Sequence, residues 1–128
     1  MKFMLSLIAV FALNLTLHAA EEHTKVPLED IKKAVAEGKA VIVDVREKAE
    51  WDEGHLKGAI LVPLSTLKSV NKAPDDLPKD KPLYVHCVAG VRSLTASEIL
   101  NKIGYDARAL KPGYEALKKE GFPVDEKK

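Results

Sequence analysis

The chain has 128 residues, enough for one compact domain and too few for two ordinary ones. Its 20 basic and 19 acidic side chains nearly cancel and are scattered, so no global field gathers nucleic acid or an anionic membrane. One cysteine excludes an internal disulfide, and with four dispersed histidines it makes a poor structural zinc site.

Residues 1–20, MKFMLSLIAVFALNLTLHAA, place Lys2 before an apolar run and end in Ala19 and Ala20, the order of a secretory signal peptide. The run is shorter than the roughly 18–20 residues that span a bilayer, so cleavage after Ala19 or Ala20 is expected, with no stable membrane insertion afterwards. The expected mature domain, residues 21–128, loses only the charge of Lys2. In an oxidising compartment its lone thiol is either packing or chemistry.

Val26-Pro27-Leu28-Glu29-Asp30 opens a predicted helix with proline and acids in its first turn, and Gly38 stops it. Ala40–Val45 is a β-branched run, as expected of a strand covered on both faces. Glu47–Glu53 reads as a short helix or turn, Ala59–Val62 as a strand ended by Pro63, and Leu64–Val70 as a short helix. Asn71–Pro82, rich in Pro, Asp and Lys, reads as a surface loop. The next strand is Leu83–His86, then an amphipathic helix Arg92–Ile103 closed by Gly104. Asp106–Leu110 is a weaker strand and Tyr114–Glu120 a last helix. Strands alternating with helices predict an α/β fold, a parallel sheet with helices on both faces. Ligands of such sheets bind beyond the carboxyl ends of the strands. Cys87 follows one strand there, and Asp44 and Arg46 end another.

The stretch Cys87-Val88-Ala89-Gly90-Val91-Arg92-Ser93 therefore joins a strand to a helix. Unpaired N–H groups at a helix start, with the positive end of its dipole, stabilise an anion such as a thiolate. Gly90 permits a backbone conformation that side chains block. Arg92, a cation in a first helical turn, is misplaced unless an anion lies beside it. Taken alone, Cys87 also fits a buried small hydrophobe, and Arg92 a surface residue paired with Glu98.

Two chemistries share this arrangement. A protein tyrosine phosphatase has His-Cys, five residues, then Arg; here four residues, Val88 to Val91, separate Cys87 from Arg92. The shorter loop makes a cradle better sized for one extra sulfur than for a phosphate, and no leaving-group acid is identifiable. The chain resembles the single-domain rhodaneses, thiosulfate sulfurtransferases, and in size and export their small periplasmic members. Asp44-Val45-Arg46, then Glu50-Trp51-Asp52-Glu53-Gly54-His55-Leu56-Lys57-Gly58-Ala59, then Pro63, resemble that family's first block. Cys87 to Ser93 resembles its C-x-x-G-x-R-S loop, and Gly113-Tyr114 with Gly121-Phe122-Pro123-Val124 its ending. Trp51 replaces the usual Phe or Tyr, and Pro112 a frequent glycine.

The resemblance implies one domain with a mostly parallel sheet of about five strands, and Cys87 as nucleophile. The amides of Val88, Ala89, Gly90, Val91, Arg92 and Ser93 would bind substrate, with Arg92 supplying charge. It implies a sulfane sulfur donor such as thiosulfate, cyanide, a thiol or a thioredoxin-like protein as acceptor, and no metal or organic cofactor. Asp44 and Arg46 are secondary candidates, Arg46 otherwise forming a scaffold ion pair with Glu50. His55 reads as structural, His86 as buried and turned away from Cys87 by strand alternation, and Tyr114 and Phe122 as core or rim. The alternatives are a non-catalytic rhodanese-like binding module and a cysteine-dependent phosphatase or arsenate reductase.

Overall fold

The computed structural model describes residues 22–127; the expected signal peptide over 1–20 lies outside them. Helix α1 (Leu28–Ala36) starts after Pro27, carries Glu29 and Asp30 in its first turn, and buries Ile31. Strand β1 (Val41–Asp44) follows, then helix α2 (Lys48–Glu53), strands β2 (Gly54–Leu56) and β3 (Ile60–Leu61), and helix α3 (Leu64–Val70). Strand β4 (Pro82–His86), helix α4 (Val91–Lys102), strand β5 (Asp106–Ala109), helix α5 (Tyr114–Lys119) and strand β6 (Val124–Glu126) complete the order.

Four strands form the central sheet in the order β3-β1-β4-β5, and every pairing is parallel. Alternation along β1 and β4 divides the interior in two. Val43, Val45, Leu83 and Val85 face Leu64 and Leu67 of α3 and Ala96 and Leu100 of α4. Ile42 and Tyr84 face Ile31 of α1, Tyr114 and Leu117 of α5, and Phe122. Helices thus cover both faces, as the run of β-branched residues requires.

The sheet has four strands where about five were expected. Beyond β5, the arm formed by residues 22–27 makes one backbone hydrogen bond, from the Thr24 N–H to the Ala109 carbonyl at 2.8 Å, and builds no ladder. A second, antiparallel pair, β2 with β6, closes the domain and matches Gly54 with Glu126 and Leu56 with Val124. Three-residue strands are too short for alternation to reveal them. Register aligns Asp44 with His86, so the residues after β1 and β4 emerge together at one edge.

Candidate active site

Cys87 leaves the end of β4 and is 1% exposed, packed with Val45, Leu64 and Ala96. Its Sγ accepts a hydrogen bond from the Gly90 N–H at 3.2 Å, the one amide bonded to it among the described residues. Gly90 caps α4 with φ +84°, a left-handed conformation that suits glycine. A Cβ there would lie 2.9 Å from the Lys111 carbonyl oxygen. A Cβ on Gly113 would overlap the Val88 carbonyl, so the turn before α5 presses directly on the cysteine loop. The Tyr114 N–H donates to the Cys87 carbonyl at 3.1 Å.

The rest of the loop divides by role. Val88 and Val91 are 57% and 70% exposed, and with exposed Ala89 they form an apolar rim. Ser93 is fully buried; its hydroxyl lies 2.9 Å from the Gly90 carbonyl and 3.0 Å from that of Leu110, both of which accept. Ser93 therefore staples the loop to the segment after β5. Beside the loop, a cavity of about 450 Å³ is lined by Arg46, Val88, Gly113, Tyr114 and Lys119 among others.

Arg92 is turned to Glu50 in a bidentate pair, with N···O distances of 2.7 and 3.0 Å. This replaces two expected pairings: Glu50 does not serve Arg46, and Glu98 bonds Lys102 at 3.2 Å. The cause lies in the start of α2, where the Glu47 N–H donates to Glu50 Oε1 at 3.1 Å and aims that carboxylate across to α4. The Arg92 guanidinium holds the Glu50 carboxyl down at about 2. Glu50, and more weakly the Cys87 sulfur, hold Arg92 in its charged form. Arg46 is 5% exposed and binds Asp44 through Nε at 3.0 and 3.1 Å and Nη2 at 2.8 Å. Nη2 also donates to the Gly54 carbonyl at 2.7 Å, and the Tyr114 ring lies 4.6 Å from Cζ. Asp44 and Arg46 are thus engaged inside the fold, where they tie β1 to β2.

Neither His86 nor His55 bonds to the sulfur. His86 is fully buried on the face opposite Cys87, and its Nδ1–H donates to the Cys87 carbonyl at 3.3 Å. Burial holds it neutral by lowering its pKa, and Nε2 lies 3.7 Å from Asp44. His55 donates from Nδ1 to the Trp51 carbonyl at 3.0 Å and stacks on that indole at 3.6 Å. A third histidine, His23, touches the loop: its Nε2 is 2.7 Å from the Gly90 carbonyl. It stands in a polar stretch before α1, where no periodicity or motif draws attention to it.

Chemically, the arrangement is a thiol at a strand end, an amide directed at its sulfur, and a helix N-terminus beyond it, a setting that stabilises sulfur-centred anions. A profile of the rhodanese-like domain matches residues 27–120. The uncharacterized protein YqhL of Bacillus subtilis is 40% identical over 91 residues, which cover 70% of this chain and 68% of that one. The probable adenylyltransferase/sulfurtransferase MoeZ of Mycobacterium tuberculosis is 37% identical over 86 residues, 66% of this chain and only 22% of the relative. Among solved structures, a human single-domain sulfurtransferase, TSTD1, superposes with a TM-score of 0.64 at 27% identity, covering 73% of this chain and 93% of that one. These likenesses support sulfur transfer in general.

Proposed function

The chain belongs to the rhodanese-like domain family, and on that premise we propose that it moves a sulfane sulfur by double displacement through a persulfide on Cys87. The Cys87 thiolate attacks the outer sulfur of thiosulfate or a similar donor. A new S–S bond forms at Sγ, the donor's own S–S bond breaks, and its electron pair leaves with sulfite. An acceptor thiolate or cyanide then attacks the outer persulfide sulfur and returns Cys87 as thiolate. Splitting the transfer into two displacements is ordinary covalent catalysis and predicts ping-pong kinetics.

The observation that carries this reading is the 3.2 Å bond from the Gly90 amide to Sγ at the mouth of α4. A backbone donor already aimed at the sulfur stabilises charge there without reorganising during reaction. The loop from Val88 to Ser93 would enclose the second sulfur, and Arg92, neutralised by Glu50 at rest, would shape that enclosure. The exposed rim of Val88, Ala89 and Val91 suits an acceptor thiol carried on a small molecule or on a thioredoxin-like protein. Export through cleavage near Ala20 would deliver this activity to the periplasm; amino-terminal sequencing of the protein from that fraction tests the step. The chemistry is tested by incubating the protein with thiosulfate and weighing it. One added sulfur atom, removed by cyanide and absent in Cys87→Ser, supports the proposal. An unchanged mass, under conditions that load a control sulfurtransferase, overturns it.

A further inference from the structure

Gly90 is the residue through which the backbone meets the reactive sulfur, and it is gripped from outside the loop. Its N–H donates to Cys87 Sγ at 3.2 Å. Its carbonyl faces two donors, the Ser93 hydroxyl at 2.9 Å and His23 Nε2 at 2.7 Å. A carbonyl only accepts, so His23 Nε2 carries the proton in this contact. Ser93 has one proton for two acceptors, the carbonyls of Gly90 and Leu110. His23 is therefore the donor that serves Gly90 without a competing acceptor among the described residues. The fit is close: a Cβ on Gly90 would come 2.9 Å from both His23 Nε2 and the Lys111 carbonyl oxygen.

The arm that brings His23 there lies before the span 27–120 that the family profile matches. Among the described residues two hydrogen bonds tie it to the loop and to β5: the His23 bond, and the Thr24 N–H on the Ala109 carbonyl at 2.8 Å. Between the arm and β5 lies a cavity of about 520 Å³, bordered by Thr24, Tyr105 and Arg108. The arm is thus held by these two bonds and by Val26, which packs against the core containing Ile31 and Leu117. Gly90 has no side chain and a positive φ, so its peptides are held in orientation by these partners rather than by local sterics. A donor on its carbonyl also polarises the peptide it shares with Val91, whose N–H is among the first of α4.

We propose that His23 is a positioning residue for Cys87: through Gly90 it holds the amide on the sulfur, so that an arm outside the family's matched span tunes the reactive loop. It acts on the thiolate and on the persulfide, and it touches neither. The inference builds on the reading of Cys87 as the sulfur-carrying group, but one of its readouts does not need sulfur transfer.

The test compares the full chain with His23→Ala and with His23→Gln, whose side-chain amide can donate to the same carbonyl. Two quantities are measured: the protection of the Gly90 amide against hydrogen exchange, and the single-turnover rate of sulfur loading from thiosulfate. In His23→Ala the Gly90 protection falls and loading slows roughly fivefold, the factor appropriate to one net hydrogen bond, with half-saturation by thiosulfate unchanged. In His23→Gln most of both returns. A third variant, Thr24→Pro, removes the N–H that seats the arm while keeping the imidazole, and gives the same defect. Unchanged Gly90 protection and loading in His23→Ala, or a His23→Gln no better than the alanine variant, overturns the inference. If the parent takes up no sulfur while the Gly90 protection follows this pattern, the sulfur-transfer reading fails and the positioning role stands.

Discussion

Cys87 is nearly closed to solvent, and its environment is set by backbone more than by charged side chains. Gly90 is the sharpest probe of that. Gly90→Ala places a methyl group 2.9 Å from the Lys111 oxygen at a φ of +84° and displaces the amide from Sγ. Sulfur loading is expected to drop at least tenfold, with a loss of stability of about 1–3 kcal/mol; single-turnover loading and denaturant melts measure the two. Glu50 gives a pH signature. Its carboxyl is held at about 2 by Arg92, against an ordinary 4.5. A depressed carboxyl stabilises the fold above its ordinary value and loses that contribution as pH falls from 4.5 towards 2. Melting temperatures taken across that interval should fall more steeply for the parent than for Glu50→Gln. Parallel slopes would show that the pair contributes nothing.

At this scale the sequence marks positions more readily than partners. Cys87, Gly90 and Arg92 draw attention because a thiol, a glycine and a cation stand together at a strand-to-helix turn, although each alone also fits a structural use. The partner of Arg92 does not, since Glu50 lies 42 positions away and its direction is set by the Glu47 bond at the start of α2. Arg46, expected to pair with Glu50, instead takes Asp44, which, two residues earlier, is already within reach. His23 left no trace because a lone contact from an arm has no period.

At the scale of elements, helices announced themselves through caps and breakers. Leu64–Val70 was read to the residue, and α4 begins one residue before Arg92 because Gly90 supplies the turn. The β2–β6 pair escaped, being three residues long on each side and joined across most of the domain. That pair is braced by Tyr114, which donates to Glu126 at 2.9 Å while its ring lies under Arg46. Burial, then the Glu126 bond, push the Tyr114 phenol up to about 12 from 10. A raised phenol stabilises the fold below its ordinary value and loses that contribution as pH climbs from 10 towards 12. Tyr114→Phe should flatten the alkaline decline in melting temperature and leave sulfur loading within twofold of the parent. A large loss of loading would instead place Tyr114 in the chemistry.

For the molecule as a whole, the parallel sheet explains why distant stretches meet. Aligning Asp44 with His86 brings the tails of β1 and β4 to one edge, and the two cores on either face hold that edge rigid. The alternation of apolar runs and helices made this architecture readable, apart from the fifth strand position, which the arm occupies with a single backbone bond. Leu100 of α4 is fully buried in the core that contains Cys87. Leu100→Ala should cost about 2–5 kcal/mol of stability by leaving a cavity, yet preserve the loading rate well below its melting temperature. A rate that falls in proportion to stability would show that the loop depends on the whole core.

The most direct measurement of the central claim is intact-mass spectrometry of the protein after brief exposure to thiosulfate, followed by fragment mapping. The predicted result is a gain of a single sulfur confined to the peptide bearing Cys87, discharged when cyanide or a thiol is added. A protein that stays at its original mass, or that gains sulfur equally well as Cys87→Ser, would contradict the account.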